Sequence, residues 1–136
     1  MKNDSFWKKL REYFTVYLPK QRNSSVRTVD TCQKAWNMLL RYLISDCSIP
    51  VSGITYKSFT RERITEFLDE MEQKKNWKPS TRNNRLSCIR AFFKYAGCDC
   101  PEAYIVYADL RSIPQKKGID ESRIVKYLPE EMLASI

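Results

Sequence analysis

The chain has 136 residues, 43% hydrophobic and 29% charged, which indicates one globular domain rather than a disordered segment. It contains no histidine, which excludes histidine-based catalysis and histidine-ligated metal sites. The formal net charge of +8 favours an anionic partner, either nucleic acid or an anionic membrane surface.

The first half of the chain predicts two helices. Glycine is scarce, with three residues, and apolar side chains recur at helical spacing, as in an all-α protein. The first helix is expected over residues 5–18, capped by Ser5 and ended by Pro19. The second is expected over residues 25–46. Its apolar stripe contains Val29, Cys32, Trp36, Leu39, Leu40 and Leu43.

The next two predicted helices have opposite charge. Thr60 caps the third, over residues 60–75, which carries five acidic side chains. The fourth begins at Pro79 and Ser80 and stops at Gly97. Residues 73–98 carry seven Lys or Arg and no Asp or Glu, and a phosphate backbone is the commonest large anion for such a surface.

Arg82 and Arg85 lie on the N-terminal continuation of the fourth helix's apolar stripe. A buried unpaired arginine is costly, so two arrangements are open. Either the first turns project beyond the core, or these arginines pair with the acidic third helix. Projection is favoured here. A projecting helix start with Ser80, Thr81, Asn83 and Asn84 beside the arginines suits phosphate and base-edge contacts.

The C-terminal part predicts a short fifth helix over residues 101–110, with Tyr104, Ile105 and Tyr107 docking on the bundle. A basic linker follows, and residues 128–136, LPEEMLASI, begin a further helix that ends after about two turns. We therefore divide the chain into a helical domain (1–113), a linker (114–127) and the first turns of a truncated domain (128–136).

The five cysteines are expected to be free thiols in a reducing cytoplasm, because no export signal precedes them. Cys32 and Cys88 lie on or beside apolar stripes and are predicted to be small core residues. Cys98 and Cys100 are spaced C-x-C, unlike a zinc knuckle, so no metal or other cofactor is predicted. No apolar run approaches the ~20 residues that span a bilayer.

The segment STRNNRLSCIRAFFKYAG, at residues 80–97, resembles the fourth helix of the core-binding domain in tyrosine recombinases, the phage-integrase family. The matching positions are Ser80, Thr81, Asn84, Arg85, Leu86, Ser87, Arg90, Phe92, Phe93, Tyr95 and Ala96. The resemblance implies a SAM-like bundle of four to five helices that forms half of a clamp on duplex DNA, with the second and fourth helices facing the major groove. It also implies partner recombinase subunits and a bacterial or phage-encoded protein at the nucleoid.

The resemblance places the family's catalytic residues in a later domain, which would begin at LPEEMLASI. We therefore predict no catalytic residue in this chain. We expect the isolated chain to be monomeric and to bind double-stranded DNA. The candidate contacts are Arg22, Arg27, Thr28, Lys34, Lys78, Ser80, Thr81, Arg82, Asn84, Arg85, Lys116 and Lys117. Arg90 lies at the edge of the apolar stripe and is interpreted as structural.

Two other functions remain open from the sequence. A helical protein-interaction module would use the basic helix to bind an acidic partner. A standalone regulator of helix-turn-helix type would use the short turn at residues 76–79 before a recognition helix. The lack of glycine in that turn and the trailing LPEEMLASI argue against the regulator.

Overall fold

The computed structural model describes residues 2–116, with side chains from residue 6 onward. Within that range every regular element is helical, which confirms the predicted all-α bundle. The helices are α1 (Lys2–Glu12), which continues as a π-helical segment (Tyr13–Gln21), α2 (Val26–Ser45), α3 (Arg61–Lys75), α4 (Pro79–Ala96) and α5 (Pro101–Arg111). Two short 3-10 turns, Val51–Gly53 and Tyr56–Ser58, lie between α2 and α3.

Side-chain caps begin α2 and α3, and the sequence predicts the second of them, at Thr60. Ser25 Oγ accepts the Thr28 N–H at 3.1 Å, and Thr60 Oγ1 accepts the Arg63 N–H at 3.2 Å. Each cap satisfies a backbone donor that has no partner within the helix. The boundaries of these two helices therefore follow from local chemistry.

Both predicted ends of the first helix are wrong. The helix already begins at Lys2, so Ser5 lies inside it, and the chain winds on through Pro19 to Gln21. Proline breaks an α-helix because it lacks an N–H and its ring clashes with the carbonyl four residues back. In the wider π-helical turn, hydrogen bonds reach five residues back, as from Arg22 N–H to the Tyr17 carbonyl at 2.7 Å. This winding tolerates the proline ring.

An aromatic cluster fills the centre of the bundle. Phe6 from α1 meets Phe59 at a ring-centroid distance of 5.1 Å and Phe92 at 5.8 Å. Trp36 from α2 lies 5.2 Å from Phe92 and 5.6 Å from Phe93. These five rings are almost fully buried, and such tilted and edge-on pairs stabilise beyond area burial alone. Helix α4, which carries Phe92 and Phe93, is therefore the central element.

Helices α2 and α4 run parallel. Cys32 of α2 contacts Cys88 of α4, and one turn later Trp36 contacts Phe92. Because both contact positions advance by four residues, the N-termini of α2 and α4 lie at the same end of the bundle. Helix N-termini carry partial positive charge, so this end has a favourable field for anions.

Helices α3 and α4 form an antiparallel hairpin around Asn76. This residue ends α3 in the left-handed conformation, with φ of 54°. Asparagine tolerates this conformation better than most residues, so it replaces the glycine usual at a helix C-terminus. The lack of glycine in the turn is therefore no argument against a tight helix pair.

The prediction that Tyr104 and Ile105 dock on the bundle is wrong, whereas Tyr107 is half-buried and packs against the core. Tyr104 is 53% exposed and Ile105 is 67% exposed, whereas Ala103, Val106 and Leu110 are buried. Helix α5 packs on the bundle through the i, i+3, i+7 stripe that these three residues form. In this orientation of the helix, Tyr104 and Ile105 face solvent.

The folded part extends just beyond α5. Ile113 is buried, and Arg90 of α4 donates to the carbonyls of Leu110, at 3.0 Å, and Ile113. Arg90 therefore has the structural contacts that its position indicates. The division at residue 113 stays a prediction, and the rest of the linker, with LPEEMLASI, lies outside the described residues. No helix in residues 2–116 is long and apolar enough to cross a membrane.

Candidate nucleic-acid interface

The parallel arrangement of α2 and α4 brings most of the predicted contact residues to one end of the bundle. Arg22 lies at the end of the π-helical segment, just before α2, and Arg27 and Thr28 lie in the first turn of α2. In or just before the first two turns of α4 lie Lys78, Ser80, Thr81, Asn84 and Arg85. We call this set the paired helix ends. Thr81 and Arg85 are half-buried and the other six are exposed.

Arg82 does not project from the bundle, so the favoured arrangement is wrong for this residue. It is only 4% exposed, and its Nε lies 2.6 Å from Oε1 of Glu72, with Nη2 3.3 Å from Oδ1 of Asp69. The Glu72 contact is an ion pair without the alignment of a hydrogen bond. A guanidinium that leaves water needs paired charge, and the acidic side of α3 supplies it. Arg82 is therefore directed toward α3 and away from solvent.

Arg85, one turn nearer the C-terminus than Arg82, has a different environment. Its guanidinium carbon lies 5.7 Å from the ring centre of Trp77, and Nη1 donates to Asn84 Oδ1 at 2.7 Å. No carboxylate of the described residues lies within ion-pair distance of Arg85. The aromatic face holds the side chain without neutralising it, so its charge remains available to an anion.

Arg22 and Arg85 converge on the contact between α2 and α4. Both act on the thiol of Cys32, whose Sγ lies 2.9 Å from Sγ of Cys88. The hydrogen bond with Cys88 lowers the pKa of Cys32 to about 7, burial opposes this shift, and the positive charges of Arg85 and Arg22 support it. The same hydrogen bond, with burial, raises the pKa of Cys88. The charges of the two arginines thus both favour the Cys32 thiolate.

The remaining predicted contacts on α2 are partly engaged. Ser25 Oγ lies 2.9 Å from Thr28 Oγ1, within the helix cap. Lys34 pairs with Asp30 at 3.1 Å, although both side chains are mostly exposed. Such a surface pair is weak, so an incoming phosphate can compete for the lysine.

Lys116 is bound to the bundle. Asn83 Nδ2 donates to its carbonyl at 2.5 Å, its own N–H donates to Asn83 Oδ1 at 2.8 Å, and its ammonium lies 3.0 Å from Glu72. The start of the predicted linker therefore lies along α4 beside the Arg82 ion pair, and Lys116 is partly neutralised there. Lys117 lies outside the described residues.

Sequence reasoning missed Trp77 and misassigned Asn83, two residues that organise this region. Trp77 supports Arg85, and Asn83 binds the backbone of Lys116 through both ends of its amide. A tryptophan in a four-residue turn before a basic helix was a usable signal for Trp77. Asn83 was expected to suit DNA contacts, and its structural role was not predictable because its partner is 33 residues away in an apparent linker.

Comparison with known proteins gives a consistent result. Residues 12–97 match the family described as phage integrase, N-terminal SAM-like domain. Two proteins of Sinorhizobium fredii (strain NBRC 101917 / NGR234) are also similar. "Putative integrase/recombinase y4rD" is 32% identical over 109 residues, which cover 80% of this chain and 39% of that protein. "Putative integrase/recombinase y4rC" is 28% identical over 108 residues, which cover 79% and 32%. This chain thus spans about a third to two fifths of these relatives. No solved structure matches it significantly.

Proposed function

This chain belongs to the phage integrase N-terminal SAM-like domain family, and from that premise we propose that it binds duplex DNA as the core-binding part of a site-specific recombinase. In the parent protein this part grips the DNA at the recombination core site. Strand exchange would depend on the rest of that protein and on partner recombinase subunits assembled on paired sites.

One observation supports the proposal above the others. The parallel helices α2 and α4 begin on the same side of the bundle, and that side carries Arg22, Arg27, Lys78 and Arg85. None of these four side chains has an acidic partner within ion-pair distance among the described residues. Asp69 pairs with Arg82 instead, and Glu72 pairs with both Arg82 and Lys116. The paired helix ends therefore keep a positive field at their surface.

The roles of the residues follow from their chemistry. The four cations without an acidic partner in residues 6–116 suit phosphate oxygens, as do the helix N-termini. Phosphate contacts fix the position of the protein but carry no sequence information. Ser80, Thr81 and Asn84 carry short polar groups that can reach base edges once α4 enters the major groove. Arg82 acts behind this surface by holding α4 against α3.

The test is an amide-NMR titration of the chain with a short duplex at several salt concentrations. With four phosphate contacts, the log–log plot of affinity against salt should have a slope of about −3.6, at roughly 0.9 per contact. A dissociation constant on the order of 10⁻⁴–10⁻⁶ M is expected, as for non-specific binding. Shifts should concentrate at residues 22–28 and 78–85.

Two variants of α4 provide a matched comparison. Arg85→Ala should make the slope shallower by about 0.9, whereas Lys94→Ala, an exposed lysine in the last turn of the same helix, should leave it unchanged. If the duplex leaves the paired helix ends unshifted at low salt, the proposal fails. An acidic protein partner then becomes the better interpretation. Tight sequence-specific binding by this chain alone would favour the standalone regulator.

A further inference from the structure

Two thiols meet at the contact between α2 and α4. Sγ of Cys32 and Sγ of Cys88 lie 2.9 Å apart, although the residues are 56 positions apart in sequence. Both are free cysteines, and Ala35 and Phe14 pack around them. The other three cysteines are half-buried or exposed and lie elsewhere in the bundle. This pair is therefore set apart from them by its geometry.

We infer that Cys32 and Cys88 are a reversible oxidation site, at which a peroxide converts the two thiols into a disulfide that joins α2 to α4. The sulfur atoms are already in direct contact, so bond formation needs a small approach and no refolding. The residues are 8% and 7% exposed, which admits a small oxidant and disfavours a bulky one.

The environment gives the two sulfurs different roles. Cys32 ionises more easily, because its hydrogen bond with Cys88 lowers its pKa and because Arg85 and Arg22 favour its negative charge. Cys88 is held protonated by the same hydrogen bond. A thiolate is the nucleophile in thiol oxidation, so Cys32 reacts first and Cys88 resolves the product.

The reaction proceeds in two balanced steps. The Cys32 thiolate attacks one peroxide oxygen, the O–O bond breaks, and a sulfenic acid and a hydroxide form. The Cys88 sulfur then attacks the Cys32 sulfur, the S–O bond breaks, and the departing oxygen leaves as water with the Cys88 proton. The hydroxide takes up the proton that Cys32 lost on ionisation. Two thiols are oxidised to one disulfide, and one peroxide is reduced to two waters.

The test uses a Cys47→Ser, Cys98→Ser, Cys100→Ser variant, in which the pair holds the only two thiols. After hydrogen peroxide treatment, intact mass should fall by two hydrogen atoms, both thiols should be lost, and a digest should give one peptide linking residues 32 and 88. The thermal midpoint should rise, because the cross-link restricts the unfolded chain, and dithiothreitol should reverse both changes.

Cys32→Ser and Cys88→Ser in the same background are the controls, since neither can form an internal disulfide. The Cys88→Ser variant should stop at a Cys32 sulfenic acid, with a mass gain of one oxygen atom. The inference is overturned if the two-thiol variant keeps both thiols, or gains oxygen without a linked peptide. This test uses no DNA, so its outcome is independent of the proposed function.

Discussion

Arg82 Nε lies 2.6 Å from Glu72 Oε1, and this contact across the α3–α4 hairpin makes Arg82 a structural residue while Arg85 stays available at the surface. The two arginines are three positions apart in one basic helix, and the sequence treats them alike. In the structure the two side chains have different partners, since Arg82 pairs with carboxylates and Arg85 packs against an aromatic ring. Their substitution should therefore have different effects.

We expect Arg82→Met to lower the free energy of unfolding by about 2–3 kcal/mol, somewhat below the ~3–5 kcal/mol typical of a broken buried pair. The loss is moderated because Glu72 keeps Lys116 as a second partner, and Asp69 is more than half exposed. Urea unfolding measures the change. Adding Glu72→Met should recover part of the loss, since the buried carboxylate is then removed as well. A loss below about 0.5 kcal/mol for Arg82→Met alone contradicts the assigned ion pair.

Trp77 is expected to contribute to DNA binding through Arg85. Trp77→Leu removes the aromatic face but keeps an apolar side chain, and it should weaken duplex affinity by about 0.5–1 kcal/mol, the usual size of an exposed cation–π contact. A fluorescence-anisotropy titration measures the affinity. In an Arg85→Ala background the same substitution should have no further effect, because the residue that it positions is absent. Equal losses in the two backgrounds would show that Trp77 acts on its own.

How much of the fold and of the candidate interface could be predicted depends on how far apart in sequence the interacting residues lie. The caps of α2 and α3 involve residues three positions apart, so the Thr60 cap and the start of α2 at residue 25 could be predicted from sequence. Arg82 was misassigned because its partners lie on another helix, and the sequence left both arrangements open. The exposed positions of Tyr104 and Ile105 depend on the rotation of α5, which buries Ala103, Val106 and Leu110 instead where this helix closely approaches the end of α4.

That close approach makes a prediction about Gly97. A Cβ at this position would lie 2.9 Å from the Phe93 carbonyl oxygen and 3.0 Å from the Tyr104 Cα, both backbone atoms. Gly97→Ala should therefore destabilise the fold by about 1–3 kcal/mol, although φ of −66° suits alanine. Gly53→Ala is the control, since its Cβ meets the Pro50 side chain at 3.2 Å. Thermal unfolding of both variants tests this, and an unchanged Gly97→Ala midpoint contradicts the close approach of α5.

The thiol pair makes stability depend on pH. The charged groups that act on Cys32 are Arg22, at the end of the π-helical segment, and Arg85 on α4, and Cys32 also shares a hydrogen bond with Cys88. Tyr13 also faces the pair, and burial raises its pKa, so it stays neutral near pH 8. Of the groups that face Cys32, the one that titrates between pH 7 and 9 in the folded state is therefore Cys32 itself.

Under reducing conditions, the folded protein should become more stable relative to its Cys32→Ser variant as pH rises from 6.5 to 8. The pKa of Cys32 is lowered from 9.0 to about 7, so in this interval the unfolded chain binds more protons than the folded one. Stability must then rise with pH, by about 1 kcal/mol over the interval. Above pH ~9 the raised pKa of Cys88 opposes further gain, because the unfolded chain then loses the proton that the folded thiol keeps. Urea unfolding at matched pH values, with thiolate absorbance as a direct readout, measures both effects. If the difference between the two proteins stays flat across this range, the Cys32 thiolate is not stabilised by Cys88 and the two arginines.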